Sequence, residues 1–270
     1  MTTASALDDL DIVGDVTVCF SGGLDSSTVA YLAGRGRDNR VHLFTLDHGY
    51  GYLFNSWARR PGRDLGRALG PGRVVHHYGR TKELFDKLAM GSLVRDRLRY
   101  GQSFGCCLGC TMAMITNVII YNLERGVPHV MMGSSMGGTY AVMSMPVTVE
   151  LQKSYCARYG IRYSPLLLEK KIVKKVERDL LDEANVFRGW RFLDKHSFGN
   201  QGYCLLSLQH MPDVLLNVHP EYDPEQVRRF FLDKLPICDR YIEDHFARKG
   251  QDMASLVGAL RALTGEGDAP

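Results

Sequence analysis

The chain has 270 residues, of which 45% are hydrophobic and 23% are charged, and its formal net charge at pH 7 is +3. This weak positive charge does not by itself require a nucleic-acid partner. The sequence has no uninterrupted apolar run of membrane-spanning length, and its acidic first residues do not resemble a secretory signal. We therefore expect a cytoplasmic protein with one large domain, or one domain with a small appendage.

Segments typical of strands and helices alternate through the first two thirds of the chain. Apolar strands are predicted over 16–20, 41–47, 73–78 and 128–135, and a fifth begins near residue 161. Between them, helices are predicted after residue 27, over 55–70 with a break or restart at Pro61, over 81–100, over 111–126 and after residue 170. This alternation predicts an α/β fold, with a Rossmann-like parallel sheet sandwiched by helices.

The alternation fades after residue 188. The segment 189–204 is rich in loop-forming residues, and helices are predicted over 223–235 and 239–263. We expect an α/β domain over 1–188, followed over 189–270 by a small, mainly helical C-terminal appendage.

The stretch SGGLDSS, residues 21–27, lies where the first strand ends and the first helix begins. Gly22 and Gly23 remove side chains that would block close approach of a ligand. The following helix offers unpaired N–H groups, which suit a phosphate, and three serines add hydroxyl donors. Asp25 could hold a cation or support the loop. A plain strand–turn–helix capped by Asp25 or Ser26 is the structural alternative.

SGGLDS directly after the first strand resembles the PP-loop of the N-type ATP pyrophosphatases, in the adenine-nucleotide alpha-hydrolase-like superfamily. It is not a Walker A loop, because the spacing differs and the lysine is missing. FTLDHGYG, HVMMGSS and SPLLLEKKIV are similar to three further superfamily segments, so the resemblance covers about residues 15–185.

The resemblance implies a Rossmann-like sheet of the HUP type and an ATP site that uses Mg²⁺. A substrate oxygen attacks the alpha-phosphate of ATP in this superfamily, so an adenylated substrate and pyrophosphate are expected. Asp25 is implied to have a catalytic role as well as a binding one. The residues implied to bind the nucleotide are Ser21, Gly22, Gly23, Leu24, Asp25, Ser26, Ser27, Asp47 and Gly133.

The seven cysteines are unevenly distributed along the sequence. Cys106, Cys107 and Cys110 lie together in FGCCLGC, and the C-x-x-C within this segment can be a redox dithiol, half of a zinc site or part of an iron–sulfur cluster. A distant Cys or His could complete a zinc site. Lone cysteines are most often small buried hydrophobic residues.

A C-x-x-C before the fourth strand resembles the iron–sulfur-dependent tRNA 2-thiolation branch of the superfamily. This resemblance implies a [4Fe–4S] cluster held by Cys107, Cys110 and a third, later cysteine, with one iron left free to carry sulfur. Cys204 is the better match for the third ligand, and Cys238 is the second choice. A persulfide on Cys106, Cys107 or Cys110, a structural zinc site and plain buried thiols remain open.

The predicted function is an ATP-dependent sulfurtransferase that adenylates a carbonyl oxygen and replaces it with sulfur. The expected partners are a sulfur donor, either sulfide or a persulfide carrier, and an acceptor, either tRNA or a small or carrier-bound molecule. The neutral TMAMITN after the cysteines favours a smaller acceptor. No membrane partner is expected, and a homodimer stays open.

Three other functions are retained as alternatives. The first is an amidating or ligating enzyme, in which ammonia or an amine attacks the adenylate. The second is a non-catalytic nucleotide-binding partner in sulfur delivery, and the third is a reductase of the adenylyl-sulfate type.

Several other polar residues have simpler interpretations. The basic start of the helix after residue 170 is interpreted as a solvated face, and His76 and His77 as structural residues. Asp47 and His48 follow a strand end, on the side where ligands bind, so a role in the site is favoured for both.

Overall fold

A computed structural model of the chain describes residues 10–53, 55–101, 104–134, 142–187, 203–204, 206 and 221–265. All five predicted strands are present and form one parallel sheet, in the order β4-β2-β1-β5-β6, while β3 and β7 form a separate antiparallel pair. In chain order the strands are β1 (Val16–Cys19), β2 (Val41–Asp47), β3 (Tyr52–Leu53), β4 (Val74–Arg80), β5 (His129–Met132), β6 (Arg162–Ser164) and β7 (Tyr203–Cys204).

The helices cover both faces of the sheet, so the predicted α/β sandwich is confirmed. Short 3₁₀ helices span Asn55–Ala58, Met90–Ser92 and Val142–Ser144. In chain order the α-helices are α1 (Leu24–Gly34), α2 (Arg59–Leu69), α3 (Lys82–Leu88), α4 (Leu93–Tyr100), α5 (Gly105–Arg125), α6 (Pro146–Ala157), α7 (Leu166–Glu169), α8 (Lys174–Glu183), α9 (Pro224–Lys249) and α10 (Met253–Thr264).

Two apolar clusters form the core. One face of the sheet packs with α1, α2 and α8, and the other packs with α5, α6 and α9. The predicted restart is present but lies two residues before Pro61, since the 3₁₀ helix ends at Ala58 and α2 begins at Arg59 and continues through Pro61. Proline is tolerated in the first turn of a helix because an N–H there has no partner within the helix.

The single helix predicted over 81–100 is wrong. The chain forms α3 and α4 with the Met90–Ser92 turn between them. A buried ion pair fixes this break, because Lys234 Nζ lies 2.7 Å from Asp96 Oδ2 and donates to Ser92 Oγ at 2.8 Å. Lys234 belongs to α9, so the sequence of 81–100 alone could not show it.

The predicted helix break between residues 235 and 239 is wrong too, because α9 continues through Pro236. An internal proline costs a helix about 3 kcal/mol, and burial of apolar residues on both sides of Pro236 offsets this cost. The predicted helix over 239–263 is in fact divided at Gly250, whose φ is 62°. The buried residues of α9 include Val227, Phe230, Phe231, Cys238, Ile242 and Phe246.

The second helix after this division, α10, begins at a side-chain cap in which Asp252 Oδ1 accepts from the N–H of Ala254 at 3.1 Å. The predicted loop-rich segment 189–202 and the boundary at residue 188 lie outside the described residues.

Among the described residues, α5 is the one helix long and apolar enough to cross a membrane, by length and composition only. Of its most apolar window, 78% is buried within the protein. This helix therefore has the burial of a core helix.

Phe230→Ala tests the packing of α9 on α5. The Phe230 ring is fully buried, with its centroid 5.7 Å from that of Phe104, so we expect the free energy of unfolding in urea to fall by about 3–5 kcal/mol. Leu232 lies on the same helix and is 49% exposed, so Leu232→Ala is the matched control and should change stability by less than about 0.5 kcal/mol. Equal small effects of the two variants would contradict this packing.

His76 is a structural residue in the sheet, as predicted. The Thr45 hydroxyl donates to Phe20 O at 2.7 Å and therefore accepts from His76 Nε2 at 2.9 Å. Burial, with smaller contributions from His77 and Arg59, lowers the pKa of His76 from 6.5 to about 4.

This lowered pKa predicts a loss of stability in acid. Between pH 6.5 and about 4 the unfolded chain binds a proton at His76 that the folded protein does not, so stability falls as the pH falls through this window. His76→Gln should reduce the difference between unfolding free energies measured at pH 7.5 and pH 5. An unchanged difference would show that His76 is not a source of the acid sensitivity.

Candidate active site

The SGGLDSS loop lies at the carboxyl edge of the sheet, between β1 and α1. The chain builds β2 and β4 on one side of β1 and then returns to build β5 and β6 on the other. The point where strand order reverses is where parallel α/β sheets bind ligands.

Backbone packing shapes the floor of this loop. Gly22 has φ +78°, and a Cβ there would lie 2.6 Å from Ala58 Cα. Gly133, at the end of β5, packs against the loop so closely that a Cβ would lie 2.6 Å from the backbone N of Ser26. Both positions therefore require glycine, because the 3₁₀ helix before α2 packs closely on Gly22 and the end of β5 packs closely on the loop.

The serine hydroxyls of the loop have unequal roles. Ser26 Oγ accepts from the N–H of Ser21 at 3.3 Å and donates to Gly23 O at 3.3 Å, so it stabilises the loop itself. Ser27 Oγ is buried and has no hydrogen-bond partner among the described residues. A buried hydroxyl without a partner is unfavourable, and a phosphate oxygen would satisfy it.

The N-terminus of α1 carries no side-chain cap. The N-cap residue is Gly23, and among the described residues no side chain accepts a capping hydrogen bond from the first N–H groups of the helix, so the alternative in which Asp25 or Ser26 acts as a simple cap is wrong. The first turn of this 11-residue helix thus has the free N–H groups and the positive dipole end that favour an anion. Leu24 is its first residue.

Asp25 is part of a charged group that the sequence did not reveal. Its carboxylate pairs with the ammonium of Lys174, which lies 3.5 Å from Glu177 Oε1. The side chain of Glu177 is fully buried, and neither of its oxygens makes a hydrogen bond with the part of the chain that the structure describes. Burial, followed by the charge of Asp25, raises the pKa of Glu177.

The interpretation of the basic helix start as a solvated face is therefore incomplete for Lys174, whose side chain is 39% exposed but also pairs with Asp25. Lys175 conforms to it, since its side chain is 83% exposed. Position along the helix separates the two, because Lys174 is the first residue of α8 and lies on the side facing α1.

Asp47 lies on the predicted side of the sheet but already has a structural role. Its Oδ1 accepts from the N–H of Gly49 at 2.7 Å, which folds the loop after β2. Its predicted part in nucleotide binding stays a prediction.

Cys106, Cys107 and Cys110 lie in the first two turns of α5, at the same edge of the sheet as the loop. Burial, followed by the proximity of Cys204, raises the pKa of Cys107 to about 12 and that of Cys110 well above its usual range. The same two causes raise the pKa of Cys106. The fold thus brings Cys204, which is about 100 residues away in the sequence, close to all three thiols.

Cys204 is placed by backbone pairing, because β7 pairs with β3 and Cys204 is opposite Tyr52. His48, in the loop before β3, lies with its Nε2 3.1 Å from Cys204 Sγ. His48 is almost completely buried, and burial lowers its pKa. His48 was expected at the site, but its contact with a cysteine was not.

The other cysteines lie elsewhere. Cys238 is fully buried on α9 beside Tyr155, and Cys19 and Cys156 are buried in the same apolar cluster. The structure therefore brings Cys204, and not Cys238, to the C-x-x-C.

The four neighbouring thiols are soft donors of the kind that zinc and iron–sulfur centres use. Within the described ranges, no three His, Cys, Asp or Glu side chains are close enough together to hold one metal ion.

Residues 10–68 match the family model of asparagine synthase. This family belongs to the PP-loop ATP pyrophosphatase superfamily, whose enzymes form AMP and pyrophosphate. The matched segment runs from before β1 through α2 and includes the whole SGGLDSS loop. A search of curated proteins finds no match to the chain.

Gly133→Ala tests the contact between β5 and the loop. Because the added Cβ would meet the backbone of Ser26 and Asp25, the loop must shift, at a cost of about 1–3 kcal/mol. We expect the Kd for Mg-ATP, measured by calorimetry, to rise at least about tenfold.

Gly258→Ala is the control for this variant, since a Cβ at Gly258 on α10 meets nothing within 4 Å. Unchanged ATP affinity in Gly133→Ala would show that the loop does not bind the nucleotide in this position.

Proposed function

We propose that this protein is an ATP-dependent sulfurtransferase that adenylates a carbonyl oxygen of its substrate and replaces that oxygen with sulfur. The observation that carries the proposal is that Cys204 lies near enough to Cys106, Cys107 and Cys110 to raise the pKa values of all three thiols, at the edge of the sheet that holds the PP-loop. In this proposal, the site that activates the oxygen and the group of thiols share one edge of the fold.

The PP-loop would bind the triphosphate of ATP. Three observations support this part of the proposal. Among the described residues, the Ser27 hydroxyl has no partner and the N-terminus of α1 has no side-chain cap, and the backbone at Gly133 closely contacts the loop. Asp25 would hold Mg²⁺, and Lys174 beside it is a cation within reach of the same loop.

The proposed reaction has two steps, adenylation of the substrate and displacement of AMP. The substrate carbonyl oxygen attacks the alpha-phosphate, and pyrophosphate leaves. A sulfur nucleophile then attacks the activated carbon, and AMP leaves with the original oxygen. No protein general base is required, because the nucleophile arrives as an anion.

Cys107, Cys110 and Cys204 would hold a [4Fe–4S] cluster, with Cys106 packed beside them. A cluster with three cysteine ligands supplies one iron that is open to an external sulfur ligand. The ligands of such a cluster bind separate irons, so they need not converge on one point as the ligands of a single zinc ion do. Two of the three ligands come from the rigid first turns of α5 and the third from β7.

We also propose the division into a nucleotide-binding domain over 1–188 and a C-terminal region over 189–270. In this division the C-terminal region contributes Cys204 and the contacts to the acceptor. The acceptor is a small or carrier-bound carbonyl compound rather than tRNA, since the α5 turn after Cys110 carries no basic residue.

An amidating enzyme is the second candidate, and the match of residues 10–68 to the asparagine synthase family favours it. This match covers the segment that activates the oxygen and leaves out every cysteine from 106 onward. It therefore supports ATP chemistry in both candidates, and the nucleophile distinguishes them.

Iron and acid-labile sulfide content of anaerobically purified protein tests the proposal. We expect about four irons per chain in the wild type, as a [4Fe–4S] cluster requires, and their loss in Cys107→Ser, Cys110→Ser and Cys204→Ser. Cys238→Ala is the matched control and should retain iron, because Cys238 lies in the core. AMP release should depend on an added sulfur donor.

Absence of iron would favour the amidating candidate. If reconstituted protein binds no iron, and the three serine variants still release AMP when ammonia is supplied, the amidating candidate replaces the sulfurtransferase.

A further inference from the structure

The loop that joins β2 to β3 is firmly attached to α3. Lys82 Nζ donates to Tyr50 Oη at 3.0 Å and pairs with Asp86 Oδ2 at 2.7 Å, and the Tyr50 hydroxyl donates to the same carboxylate. The Phe85 ring lies beneath the loop, with its centroid 5.3 Å from that of His48. The backbone around His48 is thus held on both sides.

The hydrogen bonds of His48 define which ring nitrogen carries the proton. The backbone N–H of Tyr50 donates to His48 Nδ1 at 3.0 Å, so Nδ1 must present a lone pair. The ring proton then lies on Nε2, and Nε2 is the atom 3.1 Å from Cys204 Sγ. The imidazole is therefore oriented to donate a hydrogen bond to the sulfur.

We propose that His48 is a positioning residue for Cys204, whose sulfur it holds beside the thiols of α5 by donating an Nε2–H···Sγ hydrogen bond. The inference rests on the proposed function, because it concerns Cys204 as the third cluster ligand. Cys204 is then held by two interactions, the hydrogen bond from His48 and the pairing of β7 with β3.

Two measurable consequences follow from such a bond. Outer hydrogen-bond partners orient metal ligands, and their loss typically weakens metal binding 10- to 100-fold. Hydrogen bonds to ligand sulfurs also tune the potential of an iron–sulfur cluster. An N–H donor stabilises the more negative, reduced state, so its removal should lower the reduction potential.

The test compares His48→Leu and His48→Gln with the wild type, all reconstituted with iron and sulfide. Leucine fills the space without donating, whereas the glutamine amide can donate N–H to Cys204 and accept from the N–H of Tyr50. His48→Leu should release iron to a chelator about tenfold faster and show a lower reduction potential. His48→Gln should lie close to the wild type in both measurements.

His77→Leu is the control, since the His77 ring bonds to Tyr121 Oη, and it should leave both quantities unchanged. Wild-type values for His48→Leu would overturn the inference while leaving the proposed function intact. Equal defects in His48→Leu and His48→Gln would also overturn it, because the ring shape and not the N–H would then matter. A wild type without iron would refute both the proposed function and the inference.

Discussion

The site depends on the geometry of the crossover between two parallel strands. Because β4 and β5 run in the same direction, the chain must return across the sheet between them, and α5 makes this return. Its first turns therefore lie at the edge where the strands end. Near the other end of α5, the buried Asn122 accepts from Thr17 Oγ1 at 2.6 Å and donates to His129 O at 3.0 Å. The cysteines are thus fixed relative to the two strands, β1 and β5, that carry the SGGLDSS loop and Gly133.

Charge balance around Asp25 constrains how a nucleotide can bind. Lys174 neutralises Asp25, and burial, with the charge of Asp25, raises the pKa of Glu177, which favours its neutral form. The group is then close to neutral before ATP arrives. A triphosphate adds several negative charges, which would be repelled by an unpaired Asp25. In the proposed complex with ATP, Mg²⁺ at Asp25 would replace Lys174 as the neutralising cation, and the ammonium of Lys174 could then interact with phosphate.

Local sequence patterns predicted the sheet and the loop because both depend on neighbouring residues. Continuous apolar runs specify buried parallel strands, and SGGLDSS contains its own turn. The errors arise where distant residues decide the structure. Lys234 fixes the break before α4, and burial on both sides of Pro236 keeps α9 continuous. Asp25 on α1 gives Lys174 an ion-pair partner that the sequence of α8 does not show. The sequence indicates Cys204 as the third cluster ligand only through a family resemblance. The pairing of β7 with β3, which the sequence does not show, is what places Cys204 near the C-x-x-C.

That pairing also explains why the third thiol needs support. The β3–β7 ladder has two residues on each strand, and an isolated two-stranded pair is marginally stable in water. It also closes a loop of about 150 residues between Tyr52 and Cys204, at an entropic cost that local contacts must offset. The hydrogen bond from His48 is one such contact. A cluster bound to α5 and β7 together would be a stronger one, because a metal centre that joins distant segments adds its binding free energy to the stability of the folded chain. The placement of Cys204 and the binding of a cluster would then stabilise each other.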